Sequence, residues 1–299
     1  LAAAMARFRF GTSYRFGFEQ GDGWMLETSD KITATAANGA QFSLSPAETE
    51  RVLTISSGRA ELSGVAALKG PSLPSVNAYV KQANISAGGV LLETGRLRIA
   101  PWRADGLTLS TNLEQLVLNT RAAEPGLQAV GTASVTGRMF GLDFANTSVF
   151  GGVDARLSDP LRVQSFRTRC IGLKSEGFSS PDTLRVGAFL TELCPQDGRL
   201  LRRANGAISG QLGVASLELP FESENTSGTL ALTDAVLDWR AASTARLNLT
   251  GRQMAADLKI GENTLVIAAA RPELGFETGR PLSFSARTRR TELTGSLIP

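Results

Sequence analysis

Apolar and polar residues alternate along this chain with a period of two. In GRLRIAPW, Leu97 and Ile99 fall on one side and Arg96 and Arg98 on the other. In GTLALTD, Leu230 and Leu232 oppose Thr229, Ala231 and Thr233, and in ARLNLTG, Leu247 and Leu249 oppose Arg246 and Asn248. PLSFSARTRR repeats the pattern, with Leu282, Phe284 and Ala286 against Ser283, Ser285 and Arg287. Successive side chains of an extended strand point to opposite faces, so the alternation predicts half-buried antiparallel strands, each with one apolar face. Near the start, ARFRFGTSYRFGFEQGDG places Phe8, Phe10, Tyr14, Phe16 and Phe18 at even positions and Arg7, Arg9 and Arg15 at odd ones. Read as one strand, that strip sends its rings and its guanidinium groups to opposite faces, so they cannot serve a single ligand.

Turn signals punctuate the strands. Asp22-Gly23, Asn38-Gly39, Asp105-Gly106, Asp197-Gly198 and Asn205-Gly206 are hairpin dipeptides. Between the last two, RLLRRA has the length of one strand. Alternating stretches that begin with glycine recur at Gly58, Gly95, Gly106, Gly131, Gly206 and Gly228, at irregular spacing, which makes a repeated style and no fixed period. Helix signals are sparse. Ser45-Pro46-Ala47-Glu48 offers an N-cap, a first-turn proline and an acidic third position, and Asn112 to Asn119 suits a short turn of helix. With no Pro- or Ser-rich linker, residues 1–299 read as one continuous β unit, and a seam would fall near Asp159-Pro160 or Gly198. The expectation is an all-β, mostly antiparallel curved sheet with an apolar concave face. A β-sandwich with a closed core is the alternative.

Composition narrows the chemistry. Apolar residues make up 42% of the 299 positions and charged residues 20%, which suits a folded protein and excludes a disordered one. The net charge of +3 is scattered along the strands and not gathered into a stripe, so a nucleic-acid partner is not expected. Histidine is absent. Its absence removes the Ser-His-Asp and Cys-His nucleophile systems, histidine zinc sites and the usual general base. No G-x-S-x-G elbow, S-x-x-K, P-loop or calcium loop occurs, and the acids are spread thinly. Paired carboxylates could still run glycoside chemistry, but nothing in the sequence brings two together. The expectation is therefore a protein without catalytic residues, metal or cofactor.

Cys170 and Cys194 are the only cysteines. Two thiols without histidine cannot complete a zinc site, and their spacing is not that of a C-x-x-C redox pair. A structural disulfide is the favoured reading, with two buried free thiols as the alternative.

The aromatic strip and the aliphatic strand faces leave two readings open. One is an ordinary core. The other is a greasy surface kept clear for lipid chains, because the inward positions are mostly Leu, Val and Ala, with few rings to plug a groove. An outer-membrane barrel would need aromatic girdles that two Tyr and three Trp cannot supply.

The strings GTASVTGRMFGLDFANTS, ANGAISGQLGVASLELPFESENTSGTLALTDAVLDW and LRVGAFLTELCPQDG carry a resemblance. Their short glycine-started strands, Arg-rich polar faces and lone Leu-Cys-Pro resemble the AsmA-like superfamily of bacterial envelope proteins. The likeness is greatest to the YdbH-type intermembrane phospholipid transport proteins, with TamB-like proteins as relatives. The resemblance implies an elongated half-pipe sheet of the β-taco kind, in the periplasm of a Gram-negative cell. It implies phospholipid as cargo, an inner-membrane anchor elsewhere in the chain and a small outer-membrane lipoprotein as a partner. On this expectation the groove is lined by Phe8, Phe10, Tyr14, Phe16, Phe18, Leu97, Ile99, Leu230, Leu232, Leu247, Leu249, Leu282 and Phe284. The opening LAAAMARF, and apolar runs no longer than six residues, fit a piece of a longer chain whose signal or anchor lies upstream.

Overall fold

The computed structural model describes residues 9–19, 23–47, 51–56, 58–139, 142–180, 184–242, 244–277 and 283–295. Among these residues there is no helix, and strands run from Arg9–Gly11 to Arg290–Gly295. Their pairing is antiparallel, in a curved sheet that does not close into a barrel. The chain divides into two compact units. The first takes residues 1–104, 108–133 and 156–158, and the second takes 105–107, 134–155 and 159–299.

In the first unit the organising strand is Arg59–Gly70. Its first half pairs with Leu53–Ser56, and the ladder continues through Gly23–Thr28 to Arg15–Glu19. Its second half pairs with Gln41–Ser45, which leads through Ile32–Thr35 to Arg9–Gly11. Its other edge carries Leu73–Ser86 and then Gly89–Ala104. One long strand thus feeds two branches, and the sheet forks at Ser63-Gly64. Gly64 has a φ of +127°, and a Cβ there would lie 2.3 Å from the carbonyl oxygen of Ser45, so the fork has no room for a side chain. Val52 carries the Leu53–Ser56 branch one residue further into the fork. Its N–H donates to the Thr28 carbonyl at 2.9 Å, and its own carbonyl accepts from the Ser63 N–H at 3.1 Å. Val52, Ile32 and Leu44 form the buried centre, with Phe42, Leu53, Leu62 and Ala66 against it. The core sits where the two branches meet.

The second unit repeats the device. Along one edge, Ala207–Ser223 pairs in turn with Leu201–Ala204, Phe189–Pro195 and Arg185–Val186. Along the other it pairs with Thr226–Ala241 over its whole length. Thr226–Ala241 then forks. Residues 226–233 continue into Gln253–Ile260, Asn263–Ala270 and Arg290–Gly295. Residues 236–241 continue into Ala245–Thr250, Glu273–Glu277 and Ser283–Arg287. The break falls at Asp234, whose φ is +48°. The apolar face changes parity there while the pairing with Ala207–Ser223 keeps its register, so that even-numbered Leu230 and Leu232 share a face with odd-numbered Ala235, Leu237 and Trp239. Leu232 and Ala235 are buried at this fork with Leu193, Leu200, Leu212 and Val214.

Turn chemistry follows the expected dipeptides. Asn205 and Gly206, with φ of 52° and 75°, join Leu201–Ala204 to Ala207–Ser223. Two successive positive φ values are what a two-residue I′ hairpin needs. Asn38 acts through its side chain, where Oδ1 accepts from the Ala40 N–H at 3.0 Å.

Three sequence expectations change. The segment Asn112 to Asn119 is extended, inside the strand Leu107–Asn119. Its Leu113, Leu116 and Val117 have helical spacing, but ladder hydrogen bonds decide the local conformation. Ser45 ends the strand Gln41–Ser45 and does not cap a helix, and Glu48 lies outside the described residues. The aromatic strip is not one strand. Arg9–Gly11 belongs to one branch of the fork, Arg15–Glu19 to the other, and residues 12–14 link them.

Candidate functional site

Register makes the apolar faces continuous across strands. Cross-strand partners in an antiparallel sheet share a face, so the pairing can be read as ladders of side chains. In the first unit, Ile32, Leu44, Ala66, Ala78 and Leu97 form one ladder. Phe10, Ala34, Phe42, Leu68, Val76 and Ile99 occupy the next row. The other branch aligns Phe16, Leu26, Ile55, Ala60, Ile85 and Val90. The opposite face reads Thr33, Ser43, Ala67, Asn77 and Arg98, which is polar or small at every position.

In the second unit, Leu219, Leu230, Ala256, Ile267 and Leu293 form a ladder over five strands. Leu217, Leu232, Met254 and Ala269 form its neighbour. Beyond the fork, Leu212, Leu237, Leu249 and Leu274 align, and Trp239, Leu247, Phe276 and Phe284 occupy the adjoining row. The reverse of the sheet carries Glu218, Ala231, Ala255, Ala268 and Glu292.

Coverage of these faces is uneven. Leu232 is 1% exposed at the fork, whereas Leu293, in the adjoining ladder, is 52% exposed. Leu97, Ile99, Leu230, Leu247 and Leu249 are half-buried. The accessible surface is 18620 Å² for 31.6 kDa. A compact monomer of that mass exposes about 12,000 Å², and two compact halves about 15,000 Å². The larger observed value fits apolar faces that are only partly covered, as the half-buried ladder residues of both units show.

The expected lining residues are distributed as follows. Leu97 and Ile99 stand in two of the three ladders of the first unit, and Leu230, Leu232, Leu247 and Leu249 in the four of the second. Tyr14 leaves the strip, 67% exposed between two strands. Phe10, Phe16, Phe18 and Phe284 take register positions opposite Ala34, Leu26, Trp24 and Phe276, and their side chains lie outside the described residues. Phe8 and Leu282 lie outside the described residues altogether. Cys170 and Cys194 form the disulfide, with a Cα–Cα distance of 4.2 Å, and tie the start of Ile171–Ser175 to Phe189–Pro195.

Two polar groups were not legible in the sequence as parts of this surface. The Thr94 hydroxyl, on the residue opposite Val80, is buried and has no hydrogen-bond partner among the described residues. Arg121 donates from Nε to the Gly89 carbonyl at 3.3 Å, while its Nη2 is buried and has no partner among the described residues. Hydropathy alternation could not have flagged either group, because the signal is a missing partner. Among the described residues no group of three or more Cys, Asp or Glu is placed to hold a metal ion. No family model, no curated protein and no solved structure matches the chain.

Proposed function

We propose that the chain is a segment of a periplasmic bridge-like protein that binds phospholipid acyl chains on its apolar sheet faces and conducts them between the inner and outer membranes. The observation that carries this reading is the set of register-aligned aliphatic ladders left only partly covered, with an excess of accessible surface over a compact protein of this mass. Aliphatic side chains with few rings give an acyl chain a continuous, undivided path. The role needs no general base, nucleophile or metal, because conduction along such a face is passive. The disulfide fits an oxidising compartment such as the periplasm. An inner-membrane anchor elsewhere in the chain and a small outer-membrane lipoprotein complete the proposal.

A second reading, a structural or adhesive module with a closed core, is favoured by the full burial of Val52, Leu44 and Leu232. Photo-reactive residues separate the two. Placed at Leu97, Leu230 and Leu247, they should capture co-purifying phospholipid, while the same groups at Arg98 and Asn248 on the opposite face should not. Intact-mass spectra without lipid adducts at all three ladder positions would rule out the transport reading and leave the closed module.

A further inference from the structure

We infer that Arg121 is the anion-recognising end of an amphiphile site at the rim of the first unit, taking a phosphate-bearing headgroup whose acyl chain lies on the Ile85–Val90 end of the apolar face. The inference rests on the proposed acyl-chain binding and adds to it a headgroup position and a charge preference. Three observations meet at this place. First, the ladder Leu26, Ile55, Ala60, Ile85, Val90 reaches solvent here, with Ile85 45% exposed. Second, the next backbone carbonyl along, that of Gly89, accepts from Arg121 Nε at 3.3 Å, which fixes the guanidinium one residue from Val90. Third, Arg121 Nη2 is a buried donor with no partner among the described residues.

The local structure holds the arginine in place. Thr120 is pinned to Val90 by its N–H, which donates to the Val90 carbonyl at 2.8 Å, and by its Oγ1, which accepts from the Val90 N–H at 2.8 Å. The Arg121 N–H donates to Asn119 Oδ1 at 3.0 Å. The carboxylate nearest in sequence, Glu124, is engaged by Arg156. A guanidinium with one donor spent on backbone and another buried and unspent is set up to take an oxyanion, for which its planar fork is the matched partner. The adjoining Ile85 and Val90 supply the apolar half of the same ligand. Acidic residues are not needed at such a site, and an ordinary surface arginine would keep all its nitrogens in water.

The test uses the full chain and single-chain probes below their micellar concentrations. Lysophosphatidylglycerol, decyl maltoside and inorganic phosphate are titrated calorimetrically into the wild type, Arg121→Gln and Arg121→Lys. Loss of a charge-assisted hydrogen bond should weaken lysophosphatidylglycerol binding about tenfold in R121Q, with R121K in between, while decyl maltoside binds all three proteins equally. In the wild type alone, added salt should weaken the anionic probe and spare the maltoside. Equal affinity of R121Q and wild type for lysophosphatidylglycerol would overturn the inference, as would salt-independent binding to the wild type if R121Q does not fold. Phosphate binding as tight as that of the amphiphile would overturn it too, by showing an ion site without an apolar half. Failure of decyl maltoside to bind at all would instead overturn the acyl-chain reading on which it stands.

Discussion

At the residue scale, burial is decided by position relative to the forks. Leu230 and Leu232 are two residues apart, share a strand face and are equivalent in the hydropathy pattern. Yet Leu232 sits against Leu217, Met254 and the break at Asp234, with 1% of its surface exposed, while Leu230 is half-buried. Leu232→Ala should therefore cost about 2–5 kcal/mol, the range for a leucine truncated in a packed core. Leu293→Ala, at the open end of the Leu230 ladder, should stay within about 0.5 kcal/mol. Urea unfolding of the two variants checks the contrast, and equal losses would mean that the ladder end is covered. The sequence shows which residues face the apolar side but not which of them are sealed. The difference lies in the parity change at Asp234 and in partners more than ten residues away.

At the scale of elements, period two made the strands legible and the branching invisible. The pairs Leu97/Arg98 and Leu247/Asn248 divide between the faces as alternation predicts, because each lies inside an unbroken ladder. The forks escape such reading, since a long strand that changes partner halfway has the same alternation as one that does not. The aromatic strip shows the consequence. Its spacing is uniform, yet the chain leaves one branch after Gly11 and enters the other at Arg15. The cysteine count and spacing, by contrast, favoured a disulfide over two free thiols, and Cys170 and Cys194 are bonded. The bond reinforces a weak part of the sheet, where Ile171–Ser175 and Phe189–Pro195 are only 5 and 7 residues long. Replacing both cysteines by serine should remove about 3 kcal/mol in the chain-entropy account of a loop this size. Urea midpoints should fall equally for C170S/C194S and for the reduced wild type. Amide exchange should quicken first in those two strands, and unchanged midpoints would show that the ladder holds without the bond.

At the scale of the whole molecule, exposed area is the quantity that separates a lipid-binding sheet from a closed β module. An unfolded chain of 31.6 kDa exposes about 46,000 Å², so folding to 18620 Å² buries about 27,000 Å². A compact fold of the same mass would bury about 34,000 Å², so this protein buries about four-fifths of the usual amount. The heat capacity of unfolding follows buried area. For 299 residues the ordinary value is about 4 kcal/mol/K, and the expectation here is about 3.2 kcal/mol/K. Heat capacity is a state function, so the prediction holds whether or not the two units unfold together. Differential scanning calorimetry over a range of midpoints, set by pH or mild denaturant, gives the value directly. Saturation with decyl maltoside should raise it, because an acyl chain seated on the ladders removes more apolar surface from water in the folded state. A ligand-free value of 4 kcal/mol/K or more would mean that the apolar faces are sealed in solution, and a sealed face cannot conduct lipid.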